Sequence, residues 1–236
     1  MVRAEKRLIL CSTPYIFVSP HPKTFPYAAE IGRKALHLLA LIIPFGMWWL
    51  DAPLALYVVG SLAVIGILAD ITRAYSPAFN KWIRGLFGPL MRLEELPPVG
   101  TGIIFNGATC VLVGAALLVF IFPIRVAVPI LTMTMLADAA AALVGRRMGY
   151  HPWGRLSATV EGSAAFVITG LLVMPLFPVV AFGPALASVV VAAVVEALPF
   201  PINDNIRVPV MAAGIFVGTE AFFFDQPLHL FASLPT

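Results

Sequence analysis

The chain has 236 residues, of which 60% are hydrophobic and only 11% are charged, and its formal net charge is +3. A soluble globular domain carries about 25% charged residues. The composition therefore excludes a soluble enzyme, a disordered chain and a nucleic-acid-binding domain. The two cysteines, Cys11 and Cys110, lack metal-ligand spacing, and we expect neither a disulfide nor a zinc site.

Long hydrophobic segments predict an all-α, polytopic membrane helix bundle. A membrane-spanning helix needs about 20 mostly apolar residues, and the chain offers seven candidates, of which the second and sixth are short. They cover residues 29–50, 53–69, 99–122, 126–144, 160–181, 184–198 and 208–224. We expect one transmembrane domain, residues 29–225, between an N-terminal cytoplasmic arm on the lipid headgroups, residues 1–28, and a short non-cytoplasmic tail, residues 226–236.

The basic residues predict the orientation of this bundle. With seven spans, all of the 15 Lys and Arg residues except Arg125 fall on one side. The positive-inside rule places that side, together with the N-terminus, in the cytoplasm, and places the C-terminus outside. We therefore expect a multi-pass protein of the inner cell membrane.

Acidic and other polar side chains gather on the same side. Charged groups within membrane helices are costly and are by default functional candidates. The group comprises Glu30, His37, Asp70, Asn106, Asp138, Glu161, Glu196, Asp204 and Asn205. Several carboxylates beside Arg and Lys suit a nucleoside triphosphate with Mg²⁺, because carboxylates hold the cation and guanidinium groups bind phosphate oxygens. The phosphate-binding loop motifs of soluble enzymes are absent.

Five short motifs follow one another along the chain. They are EIGRKALH from Glu30, the loop elements YSPAF from Tyr75 and MRLEE from Met91 with Thr101-Gly102, DAAAALVGRRMG from Asp138, TVEGS from Thr159, and Glu196 with NDN from Asn203 and Pro209. In order and spacing they resemble the family of dolichol kinase, phytol kinase and CTP-dependent diacylglycerol kinase. The resemblance extends over nearly the whole membrane part of the chain.

The resemblance implies a membrane lipid kinase that transfers the γ-phosphoryl group of CTP to a lipid alcohol, such as a polyprenol, a phytol-type isoprenoid or diacylglycerol. Mg²⁺ is then the implied cofactor, and in-line transfer on the cytoplasmic face is the implied mechanism. Ala158 departs from the pattern, because the family usually has Lys or Arg there. Either Arg155 reaches the site instead, or the nucleotide preference differs. Two alternatives remain open: a CTP-dependent lipid cytidylyltransferase and, less favoured, a small-solute transporter.

Four carboxylates are the candidate catalytic groups: Asp138, Glu161, Glu196 and Asp204. We expect Asp138, Asp204 and Glu161 to bind the metal, and either Glu196 or Asp204 to act as the general base. Each has a structural alternative. Asp138 would pair with a basic residue of another helix, Asp204 would form a turn that caps the last helix, and Glu161 would complement a helix dipole.

The candidate nucleotide-binding residues are mostly basic. They are Arg33, Lys34, Arg92, Arg146, Arg147 and Asn205. Basic residues at helix ends also orient membrane proteins and bind anionic headgroups, which is the alternative interpretation. His37 is either a packing residue or part of the site, and Asn106 either binds the nucleotide or bridges helices.

Overall fold

The computed structural model describes residues 27–88, 91, 95–154, 158–178, 180–224 and 230–231, with side chains from residue 31 onward. Most of the predicted N-terminal arm and C-terminal tail lie outside the described residues. Arg92 and Arg155 lie outside them as well, and the backbone of Glu30 is described without its side chain.

The described part of the chain folds into nine α-helices. These are α1 (Tyr27–Leu39), α2 (Ile42–Trp49), α3 (Ala52–Tyr75), α4 (Pro77–Phe87), α5 (Gly107–Ile121), α6 (Ile124–Met148), α7 (Val160–Val173), α8 (Phe182–Ala197) and α9 (Asp204–Phe224). A 3₁₀ turn, Met174–Leu176, follows α7. Within these residues no β-strand forms, and an isolated bridge joins Pro152 to Thr159. The predicted all-α class is therefore confirmed for this part of the chain.

Proline and capping residues set several helix boundaries. Pro44 has no N–H to donate to the carbonyl group of Ala40, so the first predicted span divides into α1 and α2. The side-chain oxygens of Asn106 and Thr159 accept backbone N–H bonds in the first turns of α5 and α7. The third predicted span consequently begins eight residues later than expected, and residues 95–106 form a connection before it.

Four helical segments are long and apolar enough to cross a membrane: Ile31–Trp49, Ala52–Tyr75, Ile124–Met148 and Asp204–Phe224. Three further apolar helices are shorter: Gly107–Ile121, Val160–Leu176 and Phe182–Ala197. Together they correspond to the seven predicted spans, but the count of seven and the direction of insertion stay predictions. The second predicted span is 24 residues long in the structure, rather than short.

Helix α6 lies at the centre of the bundle. In its most apolar window 72% of the residues are buried, compared with 22% for α3. It packs against α1, α2, α5, α7 and α9. Glycine permits a close approach between α6 and α7, because a Cβ atom added at Gly162 of α7 would lie 3.1 Å from the carbonyl oxygen of Ala141 in α6. The apolar side chains on the outer helices remain exposed, as expected for surfaces that contact lipid.

Charged side chains occupy both ends of α6 but differ in number. Near its start, Arg125 pairs with Glu220 of α9 at 3.2 Å. Thirteen residues later, about 20 Å along the helix, Asp138 lies at the end where α8 finishes and α9 begins. Most of the predicted site residues are at this second end.

Candidate functional site

Asp138 is the centre of a group of charged side chains contributed by α1 and α6. Its Oδ2 atom accepts a hydrogen bond from Lys34 Nζ at 2.5 Å and lies 3.5 Å from His37 Nε2. Lys34 and His37 are one turn apart on α1, so both face α6. Arg33 also interacts electrostatically with Asp138. Because Lys34 is only 2% exposed, Asp138 is the carboxylate that balances its buried charge.

Asp138 shares one small cavity with three other predicted site residues. Glu196 comes from the last turn of α8, and Asp204 and Asn205 come from the first turn of α9. The cavity measures about 20 Å³, which is room for one water molecule or ion. Its remaining lining is mostly apolar and comprises Val111, Leu131, Thr134, Met135, Phe166, Val208 and Pro209.

The carboxylates at this cavity carry charges of the same sign. Glu196 is close enough to Asp138 and Asp204 for repulsion, which Lys34 and Arg207 partly offset. Within the described residues no ion pair or hydrogen bond neutralises the carboxylate of Glu196. Three neighbouring carboxylates of this kind can bind a cation together, or one of them can accept a proton from a substrate.

The start of α9 is tied to the end of α8 by Arg207. Its guanidinium group pairs with Asp204, with Nε to Oδ1 at 2.9 Å, and donates to the carbonyl oxygen of Val195 at 2.7 Å. Asn203 forms the local turn, because its Oδ1 atom accepts the N–H of Asn205 at 3.0 Å. The capping turn considered for Asp204 is thus formed by the preceding residue.

Gly114 of α5 allows α9 to reach the cavity. A Cβ atom added at Gly114 would lie 2.1 Å from the carbonyl oxygen of Asn205, far inside van der Waals contact. The side chain of Asn205 also reaches back to α5, with Nδ2 at 3.5 Å from the carbonyl oxygen of Gly107. The position of the first turn of α9 therefore depends on the absence of a side chain at position 114.

Glu161 is not among the residues that line the cavity. Its Oε1 atom lies 2.6 Å from Nδ1 of the exposed His151, and its Oε2 atom accepts the backbone N–H of His151 at 3.3 Å. Arg146 and Arg147 are exposed at the end of α6. The structure thus brings Asp138, Glu196, Asp204 and Asn205 together, with Lys34, His37 and Arg33 beside them, and leaves Glu161, Arg146 and Arg147 outside the cavity.

Asn106 belongs to a separate buried network. Its backbone and side-chain nitrogens donate to the carboxylate of Asp70 at 2.9–3.0 Å. Asp70 also pairs with Arg73 at 3.1 Å, and Arg73 donates to the carbonyl oxygens of Glu95 and Ile104. Asp70 and Arg73 are only 2% and 4% exposed. This network attaches the connection 95–106 to α3, so Asn106 bridges helices in this structure.

We expect Asp70→Ala to lower the free energy of unfolding by about 3–5 kcal/mol, because it leaves Arg73 buried without its carboxylate. Denaturant titration of the purified protein in detergent measures this loss. Glu161→Ala is the matched comparison, because its partner His151 is 78% exposed, so no buried charge loses its partner and little stability should be lost. Equal losses in the two variants would contradict a structural role for the buried network.

Some neighbours of the site were not predicted. The Asp204–Arg207 pair has a helical i,i+3 spacing and was recognisable in the sequence. Thr134 lies one turn before Asp138 on the same face of α6, which the helical period also shows. No signal in the sequence pairs His151 with Glu161, because the loop geometry between them decides that contact.

The carboxylates near the cavity are few for a metal site made of protein ligands alone. Within the described residues, no three His, Cys, Asp or Glu side chains are placed to hold a metal ion together. Mg²⁺ at nucleotide sites, however, is bound by one or two carboxylates with phosphate oxygens and waters. Asp138 and Asp204 line the same cavity and could supply the one or two carboxylates that such an ion needs.

A larger cleft adjoins the cavity and shares Asp204 with it. Its volume is about 480 Å³, within the range of ligand pockets. Besides Asp204 it is lined by Phe105, Cys110, Phe200, Pro201, Ile202, Asn203 and Ile206. Most of the side chains that line the cleft are apolar and a carboxylate lies at one end, but polar atoms form nearly half of its surface.

Comparison with known proteins adds a distant relationship. No protein-family model matches the chain, and no solved structure matches it. An uncharacterised protein of Rickettsia prowazekii is 25% identical over 199 residues, which cover 79% of this chain and 93% of that protein. CTP-dependent diacylglycerol kinase 1 of Schizosaccharomyces pombe is 26% identical over 147 residues.

The chain is similar to a CTP-dependent lipid kinase. The match covers 60% of this chain and 64% of the yeast enzyme, which is less than two thirds of that enzyme's length. With the apolar helices, this similarity supports a membrane protein related to lipid kinases.

Proposed function

We propose that the protein is a membrane lipid kinase that transfers the γ-phosphoryl group of CTP to the hydroxyl group of a lipid alcohol. The observation that carries this proposal is the meeting of Asp138 of α6, Glu196 of α8, and Asp204 and Asn205 of α9 in one cavity. The similarity to a CTP-dependent diacylglycerol kinase supports the donor and the class of acceptor. We place the site on the cytoplasmic face of the inner cell membrane, as the distribution of basic residues predicts.

In this proposal the basic residues bind phosphate groups and the acids bind the cation. Lys34, Arg33, Arg146, Arg147 and Arg92 are the proposed phosphate ligands, and Asn205 contacts the nucleotide. Mg²⁺, held by Asp138 and Asp204, would neutralise charge on the phosphate oxygens during in-line transfer. We also propose Glu161 as a metal ligand, but its case is weaker than that of Asp138 and Asp204, because its carboxylate contacts His151 instead of the cavity.

We assign the general base to Glu196. Asp204 is already neutralised by Arg207, whereas no basic side chain pairs with Glu196 among the described residues. We expect Glu196→Gln to lower kcat by about 10²–10⁴-fold with little change in KM for CTP, because the amide keeps the shape but accepts no proton. Steady-state kinetics in detergent–lipid micelles measures both constants. A raised KM with an unchanged kcat would instead make Glu196 a binding residue.

We assign lipid entry to the cleft that ends at Asp204, since six of its eight lining residues are apolar. Ile202→Trp should fill part of it and raise KM for a long-chain alcohol by about tenfold, the effect of losing one good apolar contact, while KM for CTP stays unchanged. Leu172→Trp is the matched control, because Leu172 is 69% exposed on α7 and does not line the cleft. Equal effects of the two substitutions would place lipid entry elsewhere.

Product analysis tests the proposed function. Purified protein is incubated with labelled CTP, Mg²⁺ and a panel of polyprenol, phytol, farnesol and diacylglycerol, with ATP as the comparison donor. We expect CDP and a lipid phosphate. A CDP-lipid with pyrophosphate would establish a cytidylyltransferase, and turnover of none of these acceptors with either nucleotide would contradict the kinase.

A further inference from the structure

Helix α4 is amphipathic and too short to cross a bilayer. It has 11 residues, whereas a spanning helix needs about 20. At about 100° per residue, the apolar side chains fall on one face, and Lys81 and Arg84 fall on the opposite face. The apolar face consists of Phe79, Trp82, Ile83 and Leu86. The helix contains no Asp or Glu.

The contact between α4 and α3 leaves Trp82 and Leu86 of this apolar face uncovered, whereas Phe79 and Ile83 are half-buried. Asn80 is buried at 6% exposure and lines a small cavity with Asp70 and Arg73 of α3. Asn80 lies about 110° around the helix from the middle of the apolar face, so Trp82 and Leu86, on the side of that face farther from Asn80, are turned away from α3. Trp82 and Leu86 are accordingly 58% and 54% exposed.

The position of α4 in the chain places it at a membrane boundary. It begins two residues after α3 ends, and α3 is one of the candidate membrane-spanning helices. Tyr75, the last residue of α3, is 68% exposed, and exposed aromatic residues are typical of the headgroup region. A basic amphipathic helix at this depth has the form of one that lies in the plane of the interface.

We propose that α4 binds the surface of an anionic phospholipid bilayer. Phe79, Trp82 and Leu86 enter the boundary between headgroups and acyl chains, and Lys81 and Arg84 contact the lipid phosphate groups. The charge of the helix is complementary to such a surface, since each nearby Lys or Arg increases binding by about fivefold. Because Asn80 packs beside Asp70 and Arg73, binding of α4 to the bilayer would also hold that end of α3 in place. The proposal does not depend on the enzymatic activity.

Fluorescence of Trp82 in the full-length protein tests the proposal. Trp48, Trp49 and Trp153 are replaced by Phe, which leaves Trp82 as the single tryptophan, and the protein is reconstituted into vesicles of phosphatidylcholine with phosphatidylglycerol. We expect quenching by lipids brominated near the headgroup end of the acyl chain, and protection from aqueous iodide. Quenching by iodide alone would overturn the proposal, and so would protection from both quenchers, which would indicate a protein partner such as a second copy.

Spin labels provide a second measurement that does not need the tryptophan substitutions. With Cys11 and Cys110 replaced by Ser, labels at Leu86→Cys and Lys81→Cys report the two opposite faces of α4. We expect the label at position 86 to be accessible to oxygen from the bilayer, and the label at position 81 to a water-soluble nickel reagent. The same accessibility at both positions would contradict the proposed orientation.

Charge reversal tests the anionic lipid. In the single-tryptophan protein, Lys81→Glu with Arg84→Glu should weaken the binding of α4 to the anionic bilayer surface by about thirtyfold or more, since two basic side chains are lost. Trp82 then becomes more accessible to iodide in the anionic vesicles. Arg147→Glu is the matched control, because it reverses an exposed charge on α6 and should leave Trp82 unchanged. Insensitivity of Trp82 to the α4 substitutions would overturn the role of anionic lipid.

Discussion

Asp138→Asn is expected to abolish phosphoryl transfer, with kcat reduced by about 10³-fold or more, as for the loss of a principal electrostatic group at a reaction centre. Asp138 contacts Lys34 and His37 of α1 and also lines the cavity formed with α8 and α9. Its loss therefore affects the basic residues of α1 as well as the acidic cavity. Initial rates with CTP and a lipid alcohol measure the effect. Activity within tenfold of the unchanged protein would remove Asp138 from the proposed mechanism.

Stability must be measured in parallel, because the same substitution leaves Lys34 buried without its carboxylate. Breaking a buried ion pair lowers the free energy of unfolding by about 3–5 kcal/mol. The exchange Lys34→Asp with Asp138→Lys keeps a pair of opposite charges. We expect it to recover part of the stability but none of the activity, whereas a purely structural pair would recover both.

Glu220→Gln is the matched control for Asp138→Asn. Glu220 also forms a partly buried pair, with Arg125 at 3.2 Å, but that pair lies at the other end of α6. We expect its loss to lower stability and to leave kcat unchanged in the protein that remains folded. A comparable loss of kcat would show that activity follows stability rather than the chemistry at Asp138.

Gly114→Ala is expected to lower kcat by about 10²-fold. The new Cβ atom would lie 2.1 Å from the carbonyl oxygen of Asn205, so the first turn of α9 must move by about 1 Å, which is enough for a loss of this size at a catalytic centre. Asp204 and Asn205 would then leave their positions at the cavity. Steady-state kinetics of the purified variant checks this result.

Gly218→Ala provides the comparison for this prediction. Gly218 lies on α9 itself, and a Cβ atom there meets nothing within 4 Å. Alanine is also the better helix former, so we expect unchanged or slightly higher stability and unchanged kcat. If both alanine variants behaved alike, the contact between α5 and α9 would not control the site.

The apolar helices, and the end of the bundle at which most candidate site residues meet, were predictable from the sequence, because apolar length and the positions of charged residues indicate both. Helix α4 was not predicted, because its segment was interpreted as part of a loop. The boundary at residue 99 was wrong for a local reason. Ile103–Phe105 continues the apolar run toward α5, but Gly100 and Gly102 adopt positive φ angles of 86° and 147°. Asn106 then caps the helix. The apolar pattern alone does not distinguish such a connection from a helix.

The contacts between site residues were less predictable. The one-turn spacing of Lys34 and His37 places both on one face of α1, but only the packing of α1 against α6 shows that this face meets Asp138. Glu161 illustrates the opposite case. Its motif predicts an acid at the start of α7, which is observed, but the loop that precedes α7 brings His151 to its carboxylate.

Photolabelling with an azido derivative of CTP, followed by mass spectrometry of the labelled peptides, tests most directly whether one nucleotide site forms at this end of the bundle. We predict labels on α1 near Lys34, on the end of α6 after Asp138, and on the start of α9 near Asn205, all competed by unmodified CTP with Mg²⁺. Labels confined to the end of the bundle that carries Arg125 and Glu220, or labels that CTP does not displace, would contradict a shared site around Asp138.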